Sequence, residues 1–173
     1  MIVICNDCSV QSPERGVQGG EPDLDTIIET VLTTSRVFVA IAARSLASIE
    51  SDVTLPQFRL LIVLAAHGPQ GLGPLAEFLA VNASTATRMC DRLIRKGLVR
   101  RRTSPSDRRE VRLALTERGR DLVDHATTQR RIELSRLLKS VPQEEQRHLV
   151  QSLAYINIAA GEVPDQDWAS GWQ

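Results

Sequence analysis

Two groups of side chains in this sequence have the types and spacing to do chemistry. Ser84, Thr85, Thr87 and Arg88 crowd the first turns of a helix that Asn82 can cap, its side-chain oxygen accepting from the free amides of the first turn. Small hydroxyls beside one guanidinium are the groups that read base edges in a major groove. The plain alternative is the solvated face of an ordinary helix. Downstream, Arg101, Arg102, Arg108 and Arg109 flank Ser104, Pro105, Ser106 and Asp107, which is turn chemistry. An arginine-rich hairpin tip can follow phosphates or enter a minor groove. Asp107, two residues before Arg109, can hold that guanidinium in a bidentate pair and aim it.

The elements that must position these groups follow from periodicity. Ala86, Met89 or Cys90, Leu93 and Gly97 recur at i, i+3/4, i+7 and predict a buried face opposite the polar one. Cys90 is then a small core thiol. That helix runs to about Lys96, and Gly97 follows where a left-handed cap needs no Cβ. Before it, Leu75, Ala76, Phe78 and Leu79 predict a short apolar-faced helix, broken at Ala80-Val81-Asn82. After it, Leu98 to Thr103 reads as a strand, and Val111, Leu113 and Leu115 alternate with Arg112 and Ala114 as a half-buried partner strand. Helix, tight turn, helix and basic hairpin together describe a winged helix-turn-helix, whose natural partner is double-stranded DNA.

At this point the residues resemble the MarR family (multiple antibiotic resistance regulator). The matching pieces are Leu75-Ala76-Glu77 with Leu79, Ser84-Thr85 with Thr87-Arg88, Leu93 with Gly97-Leu98-Val99, Asp107-x-Arg109, and Leu115-Thr116 with Gly119. Thr54-Leu55-Pro56-Gln57 upstream fits as well, and the resemblance covers about residues 24 to 160. Ala80 departs from it, standing where the family often has Gly; a left-handed backbone there costs an alanine about 1 kcal/mol. The resemblance implies a mainly α fold with a small two- or three-stranded β-wing, flanked by N- and C-terminal dimerisation helices. It also implies a homodimer released from DNA by a small molecule, such as a phenolic or other lipophilic acid, bound between the dimer helices and the DNA lobe. The sequence does not fix that site; Arg36, Arg44 and His67 are the polar groups to test.

Composition sets the bounds. A chain of 173 residues is one domain, or one domain with an embedded lobe. With 42% apolar but only 3% aromatic residues, Leu, Val, Ile and Ala must fill the core, which suits helices. The net charge of zero hides an uneven distribution: residues 88 to 112 hold ten Arg or Lys against three Asp or Glu, or +7, leaving −7 elsewhere. A basic stripe on an otherwise acidic chain is the footprint for a polyanion. A winged helix serving only protein interaction would not need that concentration. The longest apolar run, Leu60 to Ala66, is too short to span a bilayer, and Met1-Ile2-Val3-Ile4 lacks a basic leader. A cytoplasmic, reducing location and no membrane partner are the expectation.

The remaining segments read in order. Residues 1 to 22 form a tail holding Cys5-Asn6-Asp7-Cys8. These thiols are either a redox or metal switch or two thiols on a loose tail; a zinc site needs about four ligands, and no second Cys pair exists. A thiol-based redox-sensing regulator of the same fold, acting through Cys5 and Cys8, is therefore the alternative function. A domain over 23–161 follows, with its DNA lobe at about 54–116 and dimerisation helices at about 23–50 and 117–160. Asp23 caps the first helix, whose stripe is Leu24, Ile27 or Ile28, Val31, Ser35, Phe38, Ala42, Ser45 or Leu46 and Ile49. Thr54 and Gln57 form a capping box around Pro56, opening a helix to His67 with Phe58, Leu61, Ile62 and Ala65 as its core face. His67 is then a simple C-terminal cap or a ligand contact. Gln70 to Gly73 reads as a loop.

Thr116 caps the next helix, with Leu122, Val123, Ala126, Ile132 and Leu137 or Leu138 as its stripe. Ser140-Val141-Pro142-Gln143 repeats the capping-box pattern, and the last helix carries Leu149, Leu153, Ile156 and Ala160 to Gly161. A tail at 162–173 holds Trp168 and Trp172. The first helix is too long to bury its full face on so small a lobe, and packing against the C-terminal helices and a second subunit is expected. Two readers related by a two-fold would enter successive major grooves, so the operator should be pseudo-palindromic. No Gly-x-x-x-x-Gly-Lys, His-Glu-x-x-His or Gly-x-Ser-x-Gly pattern is present, so neither enzyme activity nor a cofactor or metal is expected.

Overall fold

A computed structural model describes residues 22–49, 52–103 and 111–162. Among them, six helices and two strands follow in order: α1 (Leu24–Ala47), α2 (Leu55–His67), α3 (Leu72–Phe78), α4 (Ala83–Arg95), β1 (Val99–Thr103), β2 (Val111–Leu115), α5 (Glu117–Leu138) and α6 (Gln143–Ala160). Two compact units divide the chain, Met1–Phe38 and Val39–Gln173.

The expected caps explain most of the boundaries. Asp23 Oδ1 accepts from the Thr26 amide at 2.8 Å and starts α1. In the first unit the α1 stripe is exposed in a single copy of the chain: Leu24, Ile27, Ile28, Val31 and Phe38 all face solvent. The buried positions of α1 are Ile41, Ser45 and Leu46, all in the second unit. By length and composition α1 could also cross a membrane, at a mean hydropathy of 1.5. The longest uninterrupted apolar run did not foretell this, because Glu29, Arg36 and scattered Thr and Ser break α1 into short runs whose average is still apolar.

The core of the second unit is wound around α2. Thr54 Oγ1 accepts from the Gln57 amide and Gln57 Oε1 accepts from the Thr54 amide, at 3.4 and 3.3 Å, which completes the box around Pro56. Gly68 ends the helix at φ +73°. Leu60, Leu61 and Leu64 have no exposed surface, and Phe58, Val63 and Ala65 are buried with them. This is broader than the single face expected, and Ile62 lies at its half-buried edge. The reason is that α5, β2 and α3 all pack against α2.

The segment expected to be a loop at 70–73 is partly ordered into neighbouring elements. Gln70 exchanges both backbone hydrogen bonds with Leu113, a one-residue third strand beside β2, and α3 already begins at Leu72. Strands β1 and β2 pair antiparallel in the register Val99↔Leu115, Arg101↔Leu113 and Thr103↔Val111. The expected alternation along β2 fails at two places. Val111 is exposed at the outer end of the hairpin, beyond the reach of the core, while Ala114 near its root is buried.

Thr116 Oγ1 accepts from the Gly119 amide at 3.0 Å and donates to the Gly97 carbonyl at 2.6 Å, tying the start of α5 to the end of α4. Leu122, Val123 and Ala126 are buried, but Ile132 and Leu137 further along the expected stripe are exposed. The second capping box does not form. Ser140 Oγ donates to the Leu137 carbonyl at 2.6 Å, Pro142 occupies the N-cap without a side-chain bond, and α6 starts at Gln143. Gly161 closes α6 in the left-handed conformation, and α6 buries no residue in a single copy.

Candidate nucleic-acid interface

The turn between α3 and α4 is held by backbone. Ala80 adopts φ +52°, the left-handed conformation, and the Val81 amide donates back to Ala76 O at 3.0 Å. Asn82 then caps α4: its Oδ1 accepts from the Thr85 amide and from Ser84 Oγ, both at 2.8 Å. On the inner side Ala86, Met89, Cys90 and Leu93 are buried and fix the roll of α4 against the lobe. That leaves Ser84 and Arg88 exposed and Thr85 and Thr87 half-buried on the outer side.

The Ser84 and Thr87 hydroxyl protons of this outer face are already committed, while Thr85 accepts. Ser84 donates to Asn82, Thr87 Oγ1 donates to the Ala83 carbonyl at 2.8 Å, and Arg88 Nη2 donates to Thr85 Oγ1 at 3.3 Å. Their remaining lone pairs are acceptors, and the Thr85 hydroxyl and Arg88 are donors beside them. Cys90 lies directly beneath. Burial pushes its thiol up to about 11, reinforced by the negative charge of Asp91, so it stays protonated and packs as an apolar group.

The basic strand continues this surface. Arg100, Arg101 and Arg102 are exposed along β1. Arg101 Nη2 donates to Asp91 Oδ1 at 2.8 Å, joining the strand to the reading helix. Between them lies an open groove of about 490 Å³ lined by Arg88, Asp91, Arg92, Ile94, Arg95 and Arg101. Sequence reasoning had no role for Asp91. The available signal was that it is the single acid among seven basic residues between Arg88 and Thr103. Asp107, Arg108 and Arg109 lie outside the described residues, as do Cys5, Cys8, Trp168 and Trp172.

The three residues considered for a small molecule differ in their surroundings. Arg36 is exposed and belongs to the first unit, whereas Arg44 and His67 belong to the second. Arg44 is engaged: its Nε and Nη2 donate to Glu133 Oε2 at 2.9 and 2.6 Å. The His67 ring stacks on Phe78, with centroids 4.4 Å apart and planes 21° from parallel. His67 is also the basic residue in the last turn of α2, where the sequence placed it, and Phe78 is exposed at the edge of the core. Both rings line a cavity of about 400 Å³ with Ile62, Ala66, Arg59 and Pro74, and Arg59 pairs with Glu162 at its edge. Among the described residues no group of three or more His, Cys, Asp or Glu could hold a metal ion.

Comparison with known proteins places this geometry. Residues 53–111 match the MarR family. The HTH-type transcriptional repressor MdtR of Bacillus subtilis is 32% identical over 141 residues, 81% of this chain and 91% of MdtR. The crystal structure of RV1404 from Mycobacterium tuberculosis superposes with a TM-score of 0.76 at 41% identity, covering 84% of this chain and 99% of RV1404. Wild-type MarR from E. coli, in its apo form, superposes with a TM-score of 0.63 at 25% identity, covering 79% and 98%.

Proposed function

The chain belongs to the MarR family of DNA-binding transcriptional regulators, and from that premise we propose that it works as a homodimeric repressor released from a pseudo-palindromic operator by a small molecule. The observation that carries this reading is the outer face of α4, where Ser84, Thr85, Thr87 and Arg88 stand on the helix to which Asp91 ties Arg101 of β1. In this reading the α4 residues contact base edges, and Arg101, Arg102, Arg108 and Arg109, with Asp107 aiming Arg109, engage phosphates or a minor groove. MdtR is a transcriptional repressor, and the proposal extends that role to this chain. The effector would be a phenolic or other lipophilic acid. Of the residues considered, His67 lines a cavity, and we place the effector there, with its ring against His67 and Phe78.

A selection from a random duplex library tests this directly. The expected result is enrichment of a pseudo-palindrome with half-sites about 10 bp apart. On that duplex Arg88→Ala should cost about 1–3 kcal/mol, concentrated at one base pair. Uniform binding to every duplex, with no sequence enriched, would reject a sequence-specific regulator.

A further inference from the structure

Asp91 stands where simple electrostatics argues against it. It lies on the reading helix, in the groove shared by Arg88, Arg92, Arg95 and Arg101, and it is the one acid between Arg88 and Thr103. A carboxylate on a surface that meets a polyanion repels that polyanion and weakens the footprint. Its partner gives it a different use. Arg101 lies on β1 opposite Leu113, and its guanidinium donates to Asp91 Oδ1 at 2.8 Å. The covalent link between α4 and β1 runs through Lys96, Gly97 and Leu98, with Gly97 at φ +70°. Beyond that link, the Asp91–Arg101 pair joins the outer face of the helix to the strand by side chains.

We propose that Asp91 is a positioning residue for DNA recognition, holding Arg101 and the wing strand against the reading helix so that base-reading and backbone-contacting groups meet the duplex as one rigid surface. This rests on the DNA-binding reading above. The pair is about half exposed, with side-chain exposures of 63% and 47%, so it adds little to the stability of the fold. Its effect lies in preorganisation. An arginine already held in place gives up less rotamer freedom when it meets a phosphate. Because the held position has one register against α4, the gain falls on the duplex whose bases fit that helix, not on duplex DNA at large.

The two roles of Asp91 predict opposite signs, which makes the test clean. Wild type, Asp91→Asn, Arg101→Ala and the double variant are titrated with the duplex enriched by selection and with a scrambled duplex of equal length, by fluorescence anisotropy at several salt concentrations. Positioning predicts that Asp91→Asn binds the enriched duplex roughly three- to tenfold more weakly, while the scrambled duplex is bound equally well or more tightly. In the Arg101→Ala background the Asp91→Asn loss should vanish, because the partner is gone. Three results would overturn the proposal: Asp91→Asn binding both duplexes more tightly, a loss that persists without Arg101, or a loss that tracks a lowered melting midpoint. A wild type that binds neither duplex even at low salt would overturn the DNA-binding reading itself, and this proposal with it.

Discussion

At Ala80 an alanine accepts a left-handed backbone, φ +52°, because the turn requires it and no glycine is there. The conformation costs an L residue roughly 1–2 kcal/mol, since its Cβ approaches the following carbonyl. Ala80→Gly removes that cost but adds freedom to the unfolded chain, so the net gain should be about 0.5–1 kcal/mol. A thermal melt reads this as a midpoint raised by a few degrees. An unchanged or lowered midpoint would mean that neighbouring backbone has already relaxed the strain. The sequence identified this position only conditionally, because a one-letter pattern fixes where a turn falls but not the sign of φ within it. Asp91 was illegible for a different reason. Its partner Arg101 is ten residues away on another element, and no spacing rule links them. His67 and Phe78 were each read alone, as a cap and a core residue; apolar periodicity reports burial, not which ring stacks on which.

Elements were more legible than contacts, because caps and periods are local. Asp23, Thr54, Asn82 and Thr116 all cap where the sequence placed them. The failure at Ser140 is instructive, since Ser140-Val141-Pro142-Gln143 repeats the Thr54-Leu55-Pro56-Gln57 pattern. An N-cap must be extended, but the amides of Ser140 and Val141 are already bonded to Leu137 and Leu138, closing the last turn of α5. The preceding helix therefore decides, and α6 begins three residues later. Packing between elements is what the sequence could not convey, and Gly119 is the sharpest case. A Cβ added there would lie 2.1 Å from the Leu98 carbonyl oxygen, which is backbone and cannot turn aside. Gly119→Ala must push the first turn of α5 off the root of the wing. The expected cost is about 1–3 kcal/mol, seen as a lower urea midpoint with an unchanged slope. A variant as stable as wild type would show that α5 can shift freely against β1.

For the whole molecule, two unevenly distributed quantities ask for partners. Charge is one: +7 within residues 88–112 of a neutral chain, a concentration matched to duplex DNA. Apolar surface is the other. Described separately, the first unit exposes Leu24, Ile27, Ile28, Val31 and Leu32, and α6 exposes Val150, Tyr155, Ile156 and Ile158 at 68, 77, 50 and 78%. Leaving such faces in water forgoes about 25 cal/mol for every Å². A bilayer could cover α1, which is long and apolar enough. It would not serve α6, whose exposed apolar residues alternate with Glu144, Glu145, Arg147, Gln151 and Asn157. In the proposed dimer a second copy of the chain would cover such faces, which mix polar and apolar residues. Sedimentation equilibrium at low micromolar concentration should therefore return twice the 19.1 kDa of one chain. Ile156→Glu, outside the reading helix and wing, should shift that mass toward one chain. Loss of the dimer would then separate two half-sites that act together, so affinity for the full duplex should fall at least tenfold while a single half-site is bound as before. A wild type that stays at 19.1 kDa at tens of micromolar would remove the dimer from the proposal. The α4 surface would remain, reading one half-site at a time.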